Sequence, residues 1–298
     1  MPLGSIAITR GDPAGIGPEV VRAALAADQL DPSFSYTVVG EAVAAVPGRP
    51  TDDTARAAWT ALEESAALAL AGRADAVVTG PINKARIQKI GFNFPGQTEF
   101  FAARCGVDDF AMLLTGGGLS VALVTAHVPL REVAGQLSES EIVRVGSLLA
   151  QFLLDRHPHS ARIAVAGFNP HAGESGTLGG EEIETIAPAV EKLRKLWRGR
   201  ARFEGPLSPD TVFHRAVQGE WDGVLCMYHD QGLIPLKLRA FDSGVNVTLG
   251  LPFVRTSPDH GTAFEIAGRG IARPGSMIAA INLAAELAAK RKSHALLR

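Results

Sequence analysis

Three histidines in this sequence stand in the same setting. His127 closes the run Val121-Ala-Leu-Val-Thr-Ala-His, His171 follows Ile163-Ala-Val-Ala-Gly-Phe-Asn-Pro-His, and His229 follows Gly223-Val-Leu-Cys-Met-Tyr-His. Each lies just past the carboxyl end of an apolar, strand-like run, and in open α/β sheets those ends line the ligand crevice. Three imidazoles gathered there suit one divalent ion with a coordination position left for substrate. No HExxH-type local signature adds to the case. Spacing alone therefore leaves two readings standing: a metal site, or three unrelated loop histidines. Carboxylates lie close by. Asp230 follows His229, and Asp210 sits in Gly205-Pro-Leu-Ser-Pro-Asp-Thr. A carboxylate beside an activated alcohol can take its proton or orient the group that does. Asp210 can equally cap the helix that Ser208-Pro-Asp-Thr opens, with Pro near its first position.

A second set could meet an anion. Lys237, Asn246 and Arg255 follow His229 at nearly even intervals. An ammonium, an amide and a guanidinium fork suit a phosphate or carboxylate. Ordinary surface polarity is the competing reading. Gly11-Asp-Pro-Ala-Gly-Ile-Gly-Pro-Glu19 joins a strand to a helix but is not a G-x-G-x-x-G fingerprint. Its backbone N–H groups could approach an anion, or its glycines could serve only a tight turn.

The elements that would position these residues follow from hydrophobic patterning. Strands are predicted at Ser5–Thr9, Tyr36–Val39, Ala76–Thr79, Met112–Thr115, Val121–Thr125, Ile163–Ala166, Gly223–Met227 and Val245–Leu249. Helices are predicted at Gly17–Ala27, Asp53–Ala71, Gln97–Arg104, Ser138–Asp155, Glu181–Leu196, Pro209–Val217 and Ser276–Arg291. Ser138 and Glu141 read as a capping box, and Thr115-Gly-Gly-Gly118 as a turn between two apolar runs. The alternation argues for an α/β fold with a largely parallel sheet. With 298 residues, 46% hydrophobic and a mean hydropathy of +0.13, two domains are the natural expectation.

Composition also excludes partners. Net charge is −2, aromatics are 6%, and no basic stripe is present, which argues against nucleic acid. The two cysteines, Cys105 and Cys226, form neither a CxxC nor a disulfide framework, which fits a reducing cytoplasm. The first residues lack the cationic start of a signal peptide, and no apolar run reaches the roughly 18 residues of a membrane span. A cytoplasmic protein without membrane or nucleic-acid partners is expected.

Six longer motifs then carry a resemblance. They are Gly11-Asp-Pro-Ala-Gly-Ile-Gly-Pro-Glu, Thr79-Gly-Pro-Ile-Asn-Lys, Pro95-Gly-Gln-Thr-Glu, Asn169-Pro-His-Ala-Gly-Glu, Met227-Tyr-His-Asp-Gln-Gly and Thr256-Ser-Pro-Asp-His-Gly-Thr-Ala. From Ile6 to about Leu283 the chain resembles the 4-hydroxythreonine-4-phosphate dehydrogenase family of pyridoxal phosphate synthesis. The resemblance implies two α/β/α domains of isopropylmalate dehydrogenase-like type with an active-site cleft between them, and a homodimer with shared active sites. Residues 1–95 with 245–298 would form the first domain and carry the cofactor segment; residues 96–244 would form the second and carry the metal ligands and the dimer interface. His127, His171 and His229 match the family's metal ligands. Gln97, Thr98, Lys237, Asn246 and Arg255 match substrate-binding positions, and Asp210 and Asp230 match positions implicated in catalysis. The segment from Asp259 to Ala272 is similar to the cofactor-binding segment of isopropylmalate and isocitrate dehydrogenases. That similarity points to His260, Gly261 and Ala263 for NAD or NADP.

The implied reaction is oxidation of a small phosphorylated hydroxy acid, 4-phosphohydroxy-L-threonine, with decarboxylation to 3-amino-2-oxopropyl phosphate. A divalent ion would assist it: zinc first, with magnesium, manganese or cobalt as alternatives. The rival readings are a paralogue acting on a threonate or erythronate 4-phosphate or on a cis-dihydrodiol, and a non-catalytic ligand-binding relative. Lys237, Asn246 and Arg255 weigh against the dihydrodiol. One departure bears on substrate choice: the family's usual His in Pro-Gly-His-Thr-Glu is Gln97 here, which can offer a donor and an acceptor but no charge.

Overall fold

A computed structural model describes residues 2–157 and 159–296, without the side chains of 294–296. The chain divides into two compact units, Met1–Asp108 with Asp242–Arg298, and Asp109–Phe241.

The first unit is built on β1 (Gly4–Thr9), β2 (Phe34–Val39), β3 (Ala76–Thr79), β9 (Val245–Leu249) and β10 (Val254–Pro258). Their order is β2-β1-β3-β10-β9, parallel except for the β9–β10 pair. All four residues of β3 are buried, the run expected of a parallel strand covered on both faces. The chain moves from β1 out to β2 and back past β1 to β3. Right-handed crossovers then put α1 (Gly17–Leu25) and α2 (Asp52–Leu70) on opposite faces. The last helix, α10 (Gly275–Leu296), packs on β10, β3 and β1 and touches α1. On the other face α2 meets α3 (Lys84–Lys89) and α4 (Gln97–Cys105). Residues 96–108 fall in the first unit rather than the second; there α4 packs on α2, and Arg104 pairs with Glu63.

In the second unit the strands are β4 (Ala111–Gly116), β5 (Leu119–Leu123), β6 (Ala161–Ala166), β7 (Ala201–Leu207) and β8 (Gly223–Cys226). They run β4-β5-β8-β6-β7, with the β4–β5 hairpin antiparallel and the rest parallel. The glycine turn closes that hairpin as expected, with Gly117 and Gly118 at φ 57° and 81°. The helices are α5 (Leu130–Gln136), α6 (Glu139–Arg156), α7 (Ala187–Leu196), α8 (Pro209–Val217) and α9 (His229–Ala240). A π-type turn at Glu182–Ile186 precedes α7. The capping box is half formed: Ser138 Oγ accepts from Glu141 N–H at 3.2 Å, but the Glu141 carboxylate is drawn to Arg144 at 2.8 Å.

Three helices and two strands escape the sequence pattern. Helix α9 contains Gly232 and Pro235, and α3 and α5 are one or two turns long. Strand β7 ends in Gly-Pro-Leu, and β10 reads Val-Arg-Thr-Ser-Pro although all five residues are buried.

Candidate active site

Arg255 is the central side chain of the first unit's site. It lies on β10 between β3 and β9 and is only 2% exposed. One Nη donates to Gln97 Oε1 at 2.8 Å and to Thr79 Oγ1; the other donates to Thr248 Oγ1 at 3.2 Å. The guanidinium sits 5.5 Å from the centroid of the Phe101 ring. Among the described residues no carboxylate forms an ion pair with it. Burial pushes its pKa down to about 9, with Glu99 pulling the other way at longer range, so the cation persists at neutral pH. Hydroxyls, an amide and an aromatic face hold a buried charge without neutralising it. That is costly unless an anion completes the site.

Other family-matched residues surround it. Thr98 Oγ1 and Thr248 Oγ1 are 3.4 Å apart. Gln97 Nε2 donates to the Gly80 carbonyl at 3.1 Å, so both ends of its amide are engaged. Asn246, one residue into β9, has a buried Oδ1 without a partner, and so does Arg255 at Nε. Sequence reasoning left out Thr79, Thr248 and Glu99. Thr79 and Thr248 each lie at or next to the end of an apolar strand, which is the signal that could have found them.

The segment from Asp259 to Ala272, the cofactor candidate, packs onto the Gly-rich turn. Ile16 N–H donates to the Thr262 carbonyl at 2.9 Å, and a Cβ at Gly15 would stand 2.8 Å from that same oxygen. The turn's glycines are explained by close approach: a Cβ at Gly17 would lie 1.9 Å from the Arg10 carbonyl. Ala263 takes the left-handed region at φ 43°. Space is open around Gly261, and His260 has a buried Nε2 without a partner. An orphaned ring nitrogen beside an open glycine fits a polar ligand, as a dinucleotide requires.

In the second unit, the rings of His127 and His229 are 5.8 Å apart. His229 Nδ1 bonds Asp230 Oδ1 at 2.7 Å. A carboxylate there favours the tautomer whose Nε2 lone pair is available to a metal, the arrangement common for ligating histidines. His171 opens a left-handed turn: five consecutive residues, His171 to Ser175, have φ between 44° and 77°. Ser208 Oγ donates to Asp210 Oδ1 at 2.6 Å. This bond holds the Asp210 carboxyl below its ordinary range, and the nearby His171 adds to the effect. Asp210 does not cap its helix; Ser208 occupies that position and Asp210 lies in the first turn. Lys237 is half-buried on α9.

Thus the chain pairs His127 with His229 and sets His171 near Asp210. Among the described residues no group of three or more His, Cys, Asp and Glu stands close enough to hold an ion. The donor chemistry fits a divalent metal: neutral imidazoles, one of them oriented by a carboxylate.

Comparison with known proteins places this architecture. The family described as "Pyridoxal phosphate biosynthetic protein PdxA" matches residues 19–284. A 4-hydroxythreonine-4-phosphate dehydrogenase from Caulobacter vibrioides is 44% identical, with 96% of this chain and 98% of that protein aligned. The crystal structure of the protein of that name from Klebsiella pneumoniae superposes with a TM-score of 0.81 at 37% identity, covering 96% of this chain and 99% of the other. A terephthalate 1,2-cis-dihydrodiol dehydrogenase from Burkholderia xenovorans follows at 0.67 and 27%, covering 95% and 98%. An isocitrate dehydrogenase from Methylococcus capsulatus, at 0.54 and 17% over 98% and 89%, shares the fold.

Proposed function

This chain belongs to the PdxA family of pyridoxal phosphate biosynthetic proteins, and from that premise we propose how its residues divide the work of a 4-hydroxythreonine-4-phosphate dehydrogenase. It is an NAD(P)-dependent oxidoreductase that oxidises the secondary hydroxyl of 4-phosphohydroxy-L-threonine, with decarboxylation to 3-amino-2-oxopropyl phosphate. The observation that carries the reading is the buried Arg255 cation, held by neutral partners and lacking a carboxylate. It asks for an anionic substrate group.

Arg255, with Thr98, Gln97 and Asn246 near it, binds that anion, and Lys237 is a further candidate for substrate binding. Asp210 and Asp230 are the candidates to accept the hydroxyl proton, Asp210 from beside His171 and Asp230 from beside His229. His127, His171 and His229 hold the divalent ion, zinc first. His260, Gly261 and Ala263 contact the dinucleotide. When bound, the ion supplies a Lewis acid beside the substrate hydroxyl and the nicotinamide supplies a hydride acceptor. Oxidation leaves a ketone β to the carboxylate, and as CO₂ departs the C–C bonding electrons move toward that ketone.

A homodimer is part of this proposal. Ile234, Leu238 and Phe241 are 61%, 84% and 69% exposed and recur at helical spacing along α9 and its end. Such an apolar stripe on an otherwise soluble surface suits burial against a second copy. No helix among the described residues is long and apolar enough to cross a membrane; a cytoplasmic location fits the two free cysteines.

The test is reduced-dinucleotide formation by the chelated and metal-restored protein. The panel comprises 4-phosphohydroxy-L-threonine, threonate and erythronate 4-phosphates and a carboxylated cis-dihydrodiol, each with NAD and NADP. The highest kcat/KM is expected for 4-phosphohydroxy-L-threonine, with loss on chelation. Preference for another substrate reassigns the activity, and full turnover after exhaustive chelation removes the metal.

A further inference from the structure

A chain of hydrogen bonds links the three strand ends that carry the histidines. Thr125, two residues before His127, gives its backbone N–H at 3.2 Å and its Oγ1 at 2.8 Å to the carbonyl of Met227, two residues before His229. Met227 N–H donates to Gln231 Oε1 at 2.7 Å, and Gln231 Nε2 donates to the Gly167 carbonyl at 2.7 Å. Phe168 and Asn169 follow Gly167, and both their N–H groups donate to Glu182 Oε1 at 2.7 Å. Asn169 Nδ2 donates to Glu182 Oε2 at 2.9 Å. His171 and its left-handed turn come next. Gln231 is 6% and Glu182 3% exposed.

The fit around this chain is close. A Cβ at Gly173 would lie 2.6 Å from Glu182 Oε2, and one at Gly167 would lie 3.1 Å from Oε1. Gln231 uses its acceptor on one strand end and its donor on another, so neither Glu nor a shorter amide replaces it. Consecutive left-handed residues other than glycine are unfavourable by themselves and persist only where their surroundings enforce them. Glu182 is the group that grips the entry to that turn.

We propose that Thr125, Gln231 and Glu182 are positioning residues for the metal ligands, with Gln231 as the central link. Gln231 sets the separation of the strand ends bearing His229 and His171. Glu182 aims His171 by holding Phe168 and Asn169. The inference rests on reading the three histidines as a metal set, and it holds whether one copy of the chain or two supply the rings around one ion. Loss of an outer partner of a ligating histidine typically weakens metal affinity about 10–100-fold.

The experiment titrates the full-length apoprotein with Co²⁺ and follows its visible absorption, well below the melting temperature of each variant. Parent, His171→Ala, Gln231→Met, Glu182→Gln and Thr125→Val are compared, with folding checked by circular dichroism in chelator. His171→Ala should lose the parent's Co²⁺ band. Gln231→Met and Glu182→Gln should bind about 10–100-fold more weakly with an altered band, and Thr125→Val, which keeps the backbone bond, several-fold more weakly. A merely structural role would lower the melting temperature and leave the Co²⁺ spectrum and affinity of the folded variant unchanged; that result overturns the proposal. Should the two larger changes prevent folding, parent-like binding by Thr125→Val overturns it. Failure of the parent to bind Co²⁺, or parent-like binding by His171→Ala, removes the metal reading itself and the positioning role with it.

Discussion

Arg255 in the first unit and His171 in the second both stand where a ligand is expected, yet the chain prepares them in opposite ways. Arg255 is buried, fixed by three side chains and backed by an aromatic ring. His171 is exposed, on a strained left-handed turn, with its neighbouring backbone rather than its ring tied down. The first site is a rigid socket with a charge suited to an anion. The second ties down the backbone on either side of its candidate ligands, and its His171 ring lies exposed. The difference fits the ligands proposed for each. A phosphate or carboxylate is met by a rigid guanidinium fork that keeps its charge when dry. A metal needs lone pairs from several chain segments, so its order resides in the backbone that brings those segments together.

The comparison can be broken most decisively at the histidines. His171→Ala should lower kcat/KM by about 10³-fold or more, since Lewis-acid stabilisation is worth several kcal/mol. Its thermal stability in chelator should match or exceed the parent's. Retained turnover in metal-replete assays would place the metal elsewhere.

Arg255→Met should come next. Two charge-assisted hydrogen bonds to a substrate anion, at about 1.5–3 kcal/mol for each bond to a charged group, predict a fall in kcat/KM of about 10²–10⁴-fold. Replacing a buried, uncompensated charge by an apolar side chain is often neutral or stabilising. The melting temperature should therefore hold or rise while activity is lost. A sharp drop in stability with only a modest loss of activity would make Arg255 a structural residue and erase the contrast between the units.

Gln97→His sharpens the picture of the first site. Gln97 donates to the Gly80 carbonyl and accepts from Arg255 at once. A neutral imidazole can do the same with its two nitrogens, but a protonated one repels the guanidinium. The substrate ratio between 4-phosphohydroxy-L-threonine and the sugar-acid phosphates should shift several-fold, consistent with about 0.5–1.5 kcal/mol for a neutral hydrogen bond. The shift should grow as pH falls through the histidine range. A ratio constant from pH 6 to 8 would assign Gln97 no part in selection.

The smallest effect tests the strain. Ala172 sits at φ 53°. Ala172→Gly relieves a left-handed alanine and should stabilise the second unit by about 0.5–1 kcal/mol, measured by denaturant unfolding in chelator. Destabilisation instead would mean that the turn carries no strain to release.

Particular residues show where the sequence was legible. The apolar runs ending at Thr79, Leu123, Ala166 and Cys226 became strands because their burial on both faces leaves an unbroken hydrophobic record. Asp210 shows the limit of local reading. Its Ser-Pro-Asp context marked a helix start correctly, but it lies inside the first turn, where Ser208 donates to it. Helix α9 was hidden because Gly232 and Pro235 lower its intrinsic propensity; its packing on β5, β4 and β8 compensates.

From the sequence alone came the alternating α/β order and the three histidines at strand ends, because periodicity and spacing are local records of burial and chemistry; the family and the roles of the candidate site residues came from the resemblance that six longer motifs carry. Only the tertiary structure decided that Arg255 is dry, that Gln97 spends both ends of its amide, and that Gln231 links strand ends from distant parts of the chain. Those facts depend on which groups face each other across the fold. Burial, hydrogen-bond pairing and the resulting shift of a charge are properties of the assembled neighbourhood, and no single segment contains them.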